Sequence, residues 1–282
     1  MDISQIVVIG AGTMGRGIAQ LAALAGYTTI LYDLAEEPLE KAKTAIIQNL
    51  DKGIEKGKIS HEQKTNALSL LTYSSNFSLL KGNLIIEAIV EIPEVKTKLF
   101  NELAAQNSAD TIFATNTSSI PITKIAASID HPERVVGMHF FNPAHIMKLV
   151  EVISGEATRQ KVADTIKAVA IKMGKVPVMA NDSPGFIVNR VARHFYVESL
   201  KVLEEQVASH ETIDELMEAS GFKMGPFKLM DLIGIDVNFS VTNAMFKSFH
   251  YDEKFRPNRI QEQKVLAGHH GKKSGKGFYN YS

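Results

Sequence analysis

The chain has 282 residues, a length that suggests two domains at about 150 residues each. Lys and Arg number 31, as do Asp and Glu, so the formal net charge is zero, which argues against a protein that coats nucleic acid. The chain contains no cysteine. Disulfides, thiolate catalysis and cysteine-ligated metal centres are therefore excluded, and a reducing intracellular compartment fits this composition.

The amino-terminal segment runs directly into a predicted strand and lacks the basic and apolar regions of a signal peptide. The apolar run 84–90 is far shorter than the roughly 20 residues that a membrane-spanning helix needs. We therefore expect a cytoplasmic protein that does not associate with membranes.

The first half of the chain alternates short β-branched segments with helical patterns. Strands are predicted at residues 5–9, 28–32, 84–90, 111–115, 134–139, 147–153 and 176–179, and helices at 14–25, 36–56, 93–106 and 159–173. This alternation predicts βαβ units and a mostly parallel sheet with helices on both faces. Only seven residues separate the strands 134–139 and 147–153, too few for a parallel crossover, so we predict that this pair is antiparallel.

The pattern changes near residue 182. Ser183 is the predicted N-cap and Pro184 the predicted first residue of a long helix that runs to about residue 207. Further helices are predicted at 211–220, 226–232, 237–249 and 259–267. We therefore predict an α/β domain over residues 1–182, with mostly parallel strands and antiparallel late strands, followed by an all-helical domain over residues 183–282.

A glycine-rich loop follows the first strand. Gly10, Gly12 and Gly15 form a G-x-G-x-x-G pattern that includes Thr13 and Met14. The first glycine permits a tight turn, the second leaves room for a pyrophosphate, and the third lets the helix pack closely on the strand. The N–H groups at the start of the helix can then bind phosphate. This pattern predicts a dinucleotide-binding domain of the Rossmann type.

An acidic residue stands where the adenine ribose is held in such domains. Asp33 directly follows the second predicted strand, 18 residues after Gly15. A carboxylate there binds the ribose 2′-hydroxyl and repels a 2′-phosphate, so we predict NAD rather than NADP. The alternative is a glycine turn that merely packs, with Asp33 as a helix cap.

The segment 134–153 contains a candidate proton-transfer pair. His139 ends a predicted strand, where ligands bind in open α/β sheets, and histidine suits proton exchange with an alcohol near neutral pH. Glu151 lies in an apolar strand, and burial of its charge would be costly without a partner such as His139. The spacing alone leaves this pairing open. In a hairpin centred near Pro143, His139 would face Met147, and Glu151 could face solvent on an edge strand.

Longer stretches of the chain show a family resemblance. Residues 137–143, together with 147–153, resemble the signature of the L-3-hydroxyacyl-CoA dehydrogenase family, and are most similar to its bacterial 3-hydroxybutyryl-CoA dehydrogenases. The other matching stretches are 10–15 with 17–19, 87–91 with Lys96, 115–119, 184–190, 224–226 and 271–279. The resemblance covers essentially the whole chain, in order.

The resemblance implies that the protein interconverts 3-hydroxyacyl-CoA and 3-ketoacyl-CoA by hydride transfer with NAD(H). It assigns His139 as general acid/base, Glu151 as the residue that orients it, and Ser118 and Asn189 as hydrogen-bonding partners of the substrate at a site between the domains. The implied cofactor contacts are Gly10, Gly12, Thr13, Met14, Gly15, Asp33, Glu91, Lys96, Ser118, Asn142 and Lys273. The implied substrate contacts are Ser118, Asn189, Asn49, Lys52 and Lys56, the last three toward the CoA phosphates.

The resemblance also implies a homodimer through the helical domain and no metal. One departure from the family is His145, where a second proline is usual after Pro143. From the residues alone, Ser118 could instead cap a helix near Pro121, Asn189 could be ordinary helix surface, and the lysines could be solvated. The alternatives for function are a longer-chain 3-hydroxyacyl-CoA dehydrogenase of fatty-acid oxidation, an enzyme that oxidises a sugar acid, and a non-catalytic NAD-binding protein like some lens crystallins.

Overall fold

The computed structural model describes residues 2–281 of the chain. These residues divide into two compact units, of which the first ends at Ser183 and the second begins at Pro184. The described part of the first unit holds an eight-stranded sheet and six α-helices, and that of the second holds five α-helices.

One continuous sheet organises the first unit. Its strands are β1 (Gln5–Ile9), β2 (Thr28–Tyr32), β3 (Leu71–Ser74), β4 (Leu84–Glu87), β5 (Ile112–Thr115), β6 (Val135–Phe140), β7 (Leu149–Ser154) and β8 (Val176–Asn181). They lie in the order β3-β2-β1-β4-β5-β6-β7-β8, and the first six in this order are parallel. This is the strand order of the doubly wound dinucleotide-binding fold.

The two late strands run against the others. β7 is antiparallel to β6, and β8 is parallel to β7. The prediction of a mostly parallel sheet with an antiparallel pair at 134–139 and 147–153 is confirmed. The connection between β6 and β7 has only the eight residues 141–148, too few for a parallel crossover. Since β8 covers the outer edge of β7, β7 is not an edge strand.

The helices of the first unit cover both faces of the sheet as βαβ connections require. They are α1 (Thr13–Leu24), α2 (Glu36–Glu55), α3 (His61–Ser69), α4 (Pro93–Gln106), α5 (Ile122–Ala126) and α6 (Gln160–Lys172). In α2, Leu39, Ala42, Ile46 and Leu50 are buried at helical spacing. This pattern turns the lysine-bearing face of α2 outward.

Three elements, α3, α5 and β3, are not predicted from the sequence. α3 is mostly polar and buries only Ala67, and α5 has only five residues. β3 has four residues, of which only Leu71 is buried, and it lies at the edge of the sheet. Such short elements lack the hydrophobic periodicity on which prediction from sequence depends.

The second unit is helical, as predicted. Its helices are α7 (Val188–Glu204), α8 (His210–Ala219), α9 (Pro226–Ile233), α10 (Ile235–Ser248) and α11 (Arg259–Leu266). The predicted start of the long helix at Pro184 is wrong, because α7 begins at Val188. Gly185 and Phe186 have φ angles of +72° and +49°, which a right-handed helix cannot include.

Two buried aspartates hold the carboxyl-terminal tail against the helices of this unit. Asp231 accepts hydrogen bonds from the N–H groups of Phe278 and Tyr279, each at 2.9 Å. Asp214 accepts from Phe227 N at the start of α9 and from the Tyr279 hydroxyl, at 2.9 and 2.8 Å. Burial, followed by the hydrogen bond to Asp214, raises the pKa of Tyr279. The tail is therefore part of the folded unit.

Candidate active site

The loops that carry most of the predicted site residues meet at one edge of the sheet. Because β1, β2, β4, β5 and β6 are parallel, their carboxyl ends share this edge. The chain order reverses between the neighbouring strands β1 and β4, which is where ligands bind in open α/β sheets.

The glycine-rich loop has the geometry that its sequence predicts. Gly10 has a φ of +100°, and a Cβ atom on Gly15 would lie 1.7 Å from the carbonyl oxygen of Gly10. At Gly12, by contrast, a Cβ would meet no heavy atom within 4 Å. α1 begins with Thr13 and Met14 and has no side-chain cap. The N–H groups at the start of this helix therefore lie beside open space that suits a phosphate.

Asp33 lies directly beside this loop. Its Oδ2 accepts a hydrogen bond from Ala11 N at 2.8 Å. A cavity of about 670 Å³ adjoins Asp33, and it is largely apolar. Its lining residues include Gly10, Gly12, Tyr32, Asp33, Leu34, Ala88, Val90 and Val95. A carboxylate at one side of an apolar cleft suits a ligand with a flat ring and a hydroxylated sugar.

Glu91 and Lys96 belong to a buried charge cluster. Lys96 is 1% exposed, and its Nζ lies 2.6 Å from Glu87 Oε1 and 3.0 Å from Glu91 Oε2. Glu87 is fully buried and also accepts from Thr115 Oγ1 at 2.7 Å. The ammonium of Lys96 is therefore shared between two carboxylates, and buried charges of this kind need such partners.

Glu91 organises the loop after β5. Its Oε1 accepts hydrogen bonds from Thr117 Oγ1 at 2.5 Å, Ser118 N at 2.8 Å and Ser119 N at 3.2 Å, and the Ser118 hydroxyl lies 3.4 Å away. Burial alone would raise the pKa of Glu91, but the Lys96 charge and these hydrogen bonds outweigh it and lower the pKa below its ordinary value. Glu91 is thus ionised near neutral pH and positions Ser118.

The structure brings His139 and Glu151 together. They are opposite residues on β6 and β7, and His139 Nδ1 lies 2.7 Å from Glu151 Oε2. His139 is 6% exposed and Glu151 is fully buried. The hairpin that would place Met147 opposite His139 is not formed, since a longer loop shifts the register by four residues. The solvent-facing alternative for Glu151 is excluded as well.

The connection between β6 and β7 contains Asn142, an implied cofactor contact, in a cis peptide bond to Pro143. Asn116, which follows β5, accepts a hydrogen bond from Phe140 N through its Oδ1 at 2.9 Å. The ring of Phe141 lies 4.5 Å from that of His139. The backbone at the start of this connection is therefore anchored at Phe140, the residue after His139.

A second cavity, of about 720 Å³, opens beside α2 and is rich in basic side chains. We call it the basic groove. Its polar lining residues are Gln20, Asn49, Lys52, Lys56, Lys58, His145, Lys148 and Lys175. No acidic side chain lines the groove among residues 2–281. It therefore combines the predicted Asn49, Lys52 and Lys56 with five polar side chains that are not predicted from the sequence. Their positions in sequence lie far apart, so spacing carries no signal for them.

Two implied site residues lie in the second unit. Asn189 is the second residue of α7 and is partly exposed. Lys273 lies in the tail, and its Nζ is 2.7 Å from Asp236 Oδ1. Ser118, in the first unit, does not cap a helix near Pro121, because α5 has Pro121 itself at its N-cap and no side-chain cap.

Two negative findings apply to residues 2–281. None of their helices combines the length and apolar character that crossing a membrane requires. Nor do their histidine, aspartate and glutamate side chains form a group of three or more that could hold a metal ion.

Comparison with models of known protein families shows the family to which the chain belongs. The model for the NAD-binding domain of 3-hydroxyacyl-CoA dehydrogenase matches residues 5–183, and the model for the C-terminal domain of the same enzymes matches residues 185–281. The chain belongs to the 3-hydroxyacyl-CoA dehydrogenase family. As a member of this family it is an NAD-dependent oxidoreductase, and the resemblance read from its motifs is confirmed.

Individual members of the 3-hydroxyacyl-CoA dehydrogenase family match the chain over its full length. It is 46% identical to 3-hydroxyadipyl-CoA dehydrogenase of Escherichia coli, but spans only 60% of that protein. It is 42% identical to a probable 3-hydroxybutyryl-CoA dehydrogenase of Bacillus subtilis, covering 100% of the chain and 98% of the relative. The crystal structure of (S)-3-hydroxybutyryl-CoA dehydrogenase from Ralstonia eutropha superimposes with a TM-score of 0.96 at 37% identity and covers both chains completely.

Proposed function

We propose that the protein interconverts 3-hydroxyacyl-CoA and 3-ketoacyl-CoA with NAD(H), with His139 as the general acid/base. The observation that carries this proposal is the buried pair of His139 and Glu151 at the same sheet edge as the glycine-rich loop. A histidine in this position can exchange a proton with a hydroxyl group while NAD, when bound, accepts or supplies the hydride.

The hydrogen bond between Glu151 and His139 determines which ring nitrogen exchanges the proton with the substrate. An ionised carboxylate only accepts hydrogen bonds, so Nδ1 of His139 carries the hydrogen that it donates to Glu151. Nε2 is then the nitrogen that exchanges the proton with the substrate. In the oxidative direction the C3–H bond breaks as the hydride leaves, and the hydroxyl proton passes to Nε2 as the C=O bond forms. In the reductive direction, the protonated ring returns that proton to the oxygen.

Glu151 supports this step in two ways. It fixes the tautomer and the orientation of the imidazole, as buried carboxylates do for catalytic histidines. It also stabilises the imidazolium that forms when Nε2 takes the proton, an effect that is strong because Glu151 is fully buried. We assign Ser118 and Asn189 to the substrate oxygen on the basis of the family motif. Glu91 supports the role of Ser118, because it holds the backbone and the hydroxyl of that residue.

The basic groove supports a CoA substrate. CoA carries a diphosphate and a 3′-phosphate, and the groove offers five lysines with no acidic residue in its lining among residues 2–281. The implied contacts Asn49, Lys52 and Lys56 all line it. A solvated lysine face would not need a cavity of about 720 Å³. These features favour CoA esters over a sugar acid, which has no phosphates for the groove to bind.

The acyl group that we propose is the four-carbon one. The relatives in Bacillus subtilis and Ralstonia eutropha carry the name 3-hydroxybutyryl-CoA dehydrogenase. Their matches cover this chain and nearly all or all of their own length. The Escherichia coli relative carries the name of the longer, dicarboxylic 3-hydroxyadipyl-CoA. We further propose a cytoplasmic homodimer formed through the helical unit, on the basis of the family resemblance.

The test is direct. The purified protein is mixed with acetoacetyl-CoA and NADH, and the loss of the reduced nicotinamide absorbance is followed. We expect steady oxidation of NADH, faster with acetoacetyl-CoA than with a longer 3-ketoacyl-CoA or with 3-oxoadipyl-CoA. NADH binding without turnover of any of these esters would overturn the proposal and leave the sugar-acid enzyme and the non-catalytic protein as alternatives. Preference for a longer ester would overturn the four-carbon assignment alone.

A further inference from the structure

Lys175 is a buried lysine whose amine holds backbone carbonyls. It follows Gly174, at the turn between α6 and β8, and is 7% exposed. Its Nζ donates hydrogen bonds to Ala144 O at 2.6 Å and to Met147 O at 2.8 Å. No carboxylate of residues 2–281 lies within ion-pair distance of it. Burial of an ammonium group without a carboxylate partner costs folding free energy. This cost suggests that Lys175 has a functional role.

The carbonyls that Lys175 holds belong to the loop 141–148 between β6 and β7. This loop begins two residues after His139 and contains Asn142. It has little regular structure of its own, and its internal hydrogen bonds are those from Ile146 N and Met147 N to Pro143 O, each at 3.0 Å. The amine of Lys175 ties the middle of the loop to its end.

Other contacts anchor the two ends of the same loop. Phe140 N, at the start, donates to Asn116 Oδ1, and Lys148 O, at the end, accepts from Val176 N at 2.8 Å. Ala144 is 1% exposed and packs closely on α1, since a Cβ on Gly17 would lie 3.0 Å from its Cβ. Between these anchors, Lys175 is the side chain that bonds two carbonyls at once.

We propose that Lys175 is a positioning residue, whose buried amine holds the loop 141–148 in the conformation that places Asn142 next to His139 for catalysis. The kinetic part of this proposal rests on the proposed function, but the effect on the loop does not. His145, Ile146 and Lys148 of this loop line the basic groove together with Lys175, so the loop forms one wall of the proposed CoA site. A cation holds the two carbonyls more tightly than a neutral donor would, because charge-assisted hydrogen bonds are about twice as strong as neutral ones.

The first experiment compares Lys175→Met with the unaltered protein by amide hydrogen exchange. We expect the amides of Ile146 and Met147 to exchange about 10-fold faster or more in the variant, since the loop loses two hydrogen bonds. The amide of Thr29, bonded to Leu70 O in the β2–β3 pair, serves as an internal reference and should not change. Lys167→Met, on the exposed face of α6, is the matched control for loss of one lysine. Unchanged exchange at Ile146 and Met147 would overturn the proposal.

The second experiment separates positioning from binding. With acetoacetyl-CoA and NADH, we expect Lys175→Met to lower kcat by about 10- to 100-fold, because a small misplacement of the cofactor relative to His139 costs this much. A rise in KM alone, with kcat intact, would instead make Lys175 one more phosphate contact and would contradict the proposal. Failure of the unaltered protein to turn over any ester would sink the proposed function and leave hydrogen exchange to decide on Lys175.

The third experiment needs no variant and covers the case in which Lys175→Met does not fold. Burial lowers the pKa of Lys175 to about 8. As pH rises through this value, the amine loses its charge and its hydrogen bonds weaken. We therefore expect the protection of Ile146 and Met147, corrected for intrinsic exchange, to fall between about pH 7 and pH 9 relative to that of Thr29. Constant protection over this range would overturn the proposal.

Other charged groups face this region and bear on the pH dependence. They are Arg16 on α1, Lys52 and Lys56 on α2, Lys58 after α2, and His145 and Lys148 in the loop. Burial, followed by the charges of Lys175 and Arg16, lowers the pKa of His145. This shift moves the titration of His145 downward, away from the pH window of the experiment.

Discussion

His139 and Glu151 lie directly opposite each other on antiparallel strands, with Nδ1 and Oε2 2.7 Å apart. Both are buried, and the strand that carries Glu151 is itself covered by β8. The pair is thus held by the backbone of two neighbouring strands rather than by flexible loops. Such support fixes the ring orientation on which proton transfer depends.

The first prediction concerns the charge of Glu151. Glu151→Gln keeps the size of the side chain but cannot stabilise an imidazolium, and its amide can favour the wrong tautomer of His139. We expect kcat to fall by about 100-fold or more, with little change in the dissociation constant of NADH. Steady-state kinetics and NADH fluorescence titration measure the two quantities. Glu156→Gln, at an exposed position just after β7, is the control and should behave like the unaltered protein.

His139→Ala extends this test. It should lower kcat by about 100-fold or more while NADH still binds. Because Glu151 acts through His139, the double variant His139→Ala with Glu151→Gln should be no slower than His139→Ala alone. Additive losses would show that Glu151 contributes independently of the histidine.

The second prediction separates two glycines of the cofactor loop. Gly12 has φ −65° and ψ −172°, which any residue can adopt, and open space surrounds it. Gly12→Val should therefore retain the thermal stability of the protein while weakening NADH binding by about 10-fold or more, since the side chain fills the pyrophosphate space. Gly15→Val should lower the free energy of unfolding by about 3 kcal/mol or more, because its Cβ meets Gly10 O.

Denaturant unfolding and NADH titration of both glycine variants check this. Equal loss of stability in the two variants would contradict the open space at Gly12. Normal NADH affinity in a folded Gly12→Val protein would show that the pyrophosphate does not approach the loop at this position.

The third prediction concerns the choice between NAD and NADP. Asp33→Ser removes the carboxylate but keeps an oxygen that can accept from Ala11 N. We expect the dissociation constant of NADH to rise by about 10-fold, and that of NADPH to fall relative to it, because the repulsion of the 2′-phosphate is gone. Binding titrations with both cofactors measure the ratio. Asp110→Ser, at an exposed position, should leave the ratio as it is.

The fourth prediction concerns the basic groove. Lys52→Met combined with Lys56→Met should raise KM for acetoacetyl-CoA by about 10-fold and change kcat little, because these lysines bind parts of the substrate remote from the reaction. The KM of the unaltered protein should also rise with ionic strength. Lys43→Met, on the exposed surface of the same helix, is the matched control. An equal rise in KM for Lys43→Met would show that the lysines act through the general surface charge and not through binding in the groove.

Much of this protein follows from its sequence alone. The βαβ alternation, the glycine loop with Asp33, and the antiparallel direction of β7 all depend on local pattern and connection length, which the sequence contains. The sequence likewise predicts the helical second unit, but the start that it predicts for the first helix of this unit, Pro184, is wrong. Gly185 and Phe186 adopt positive φ angles there, and nothing in the local pattern requires Phe186 to do so.

The pairing of His139 with Glu151 was decided only by the tertiary structure, because a strand register depends on the length and conformation of the loop between the strands. The same holds for Lys96, which the structure buries between Glu87 and Glu91, and for Lys175, whose carbonyl partners lie about 30 residues earlier in the chain. Sequence patterns report which face of an element is buried. They do not show which distant side chain is the hydrogen-bond or ion-pair partner of a buried polar group. That partner depends on packing between elements that only the fold brings together.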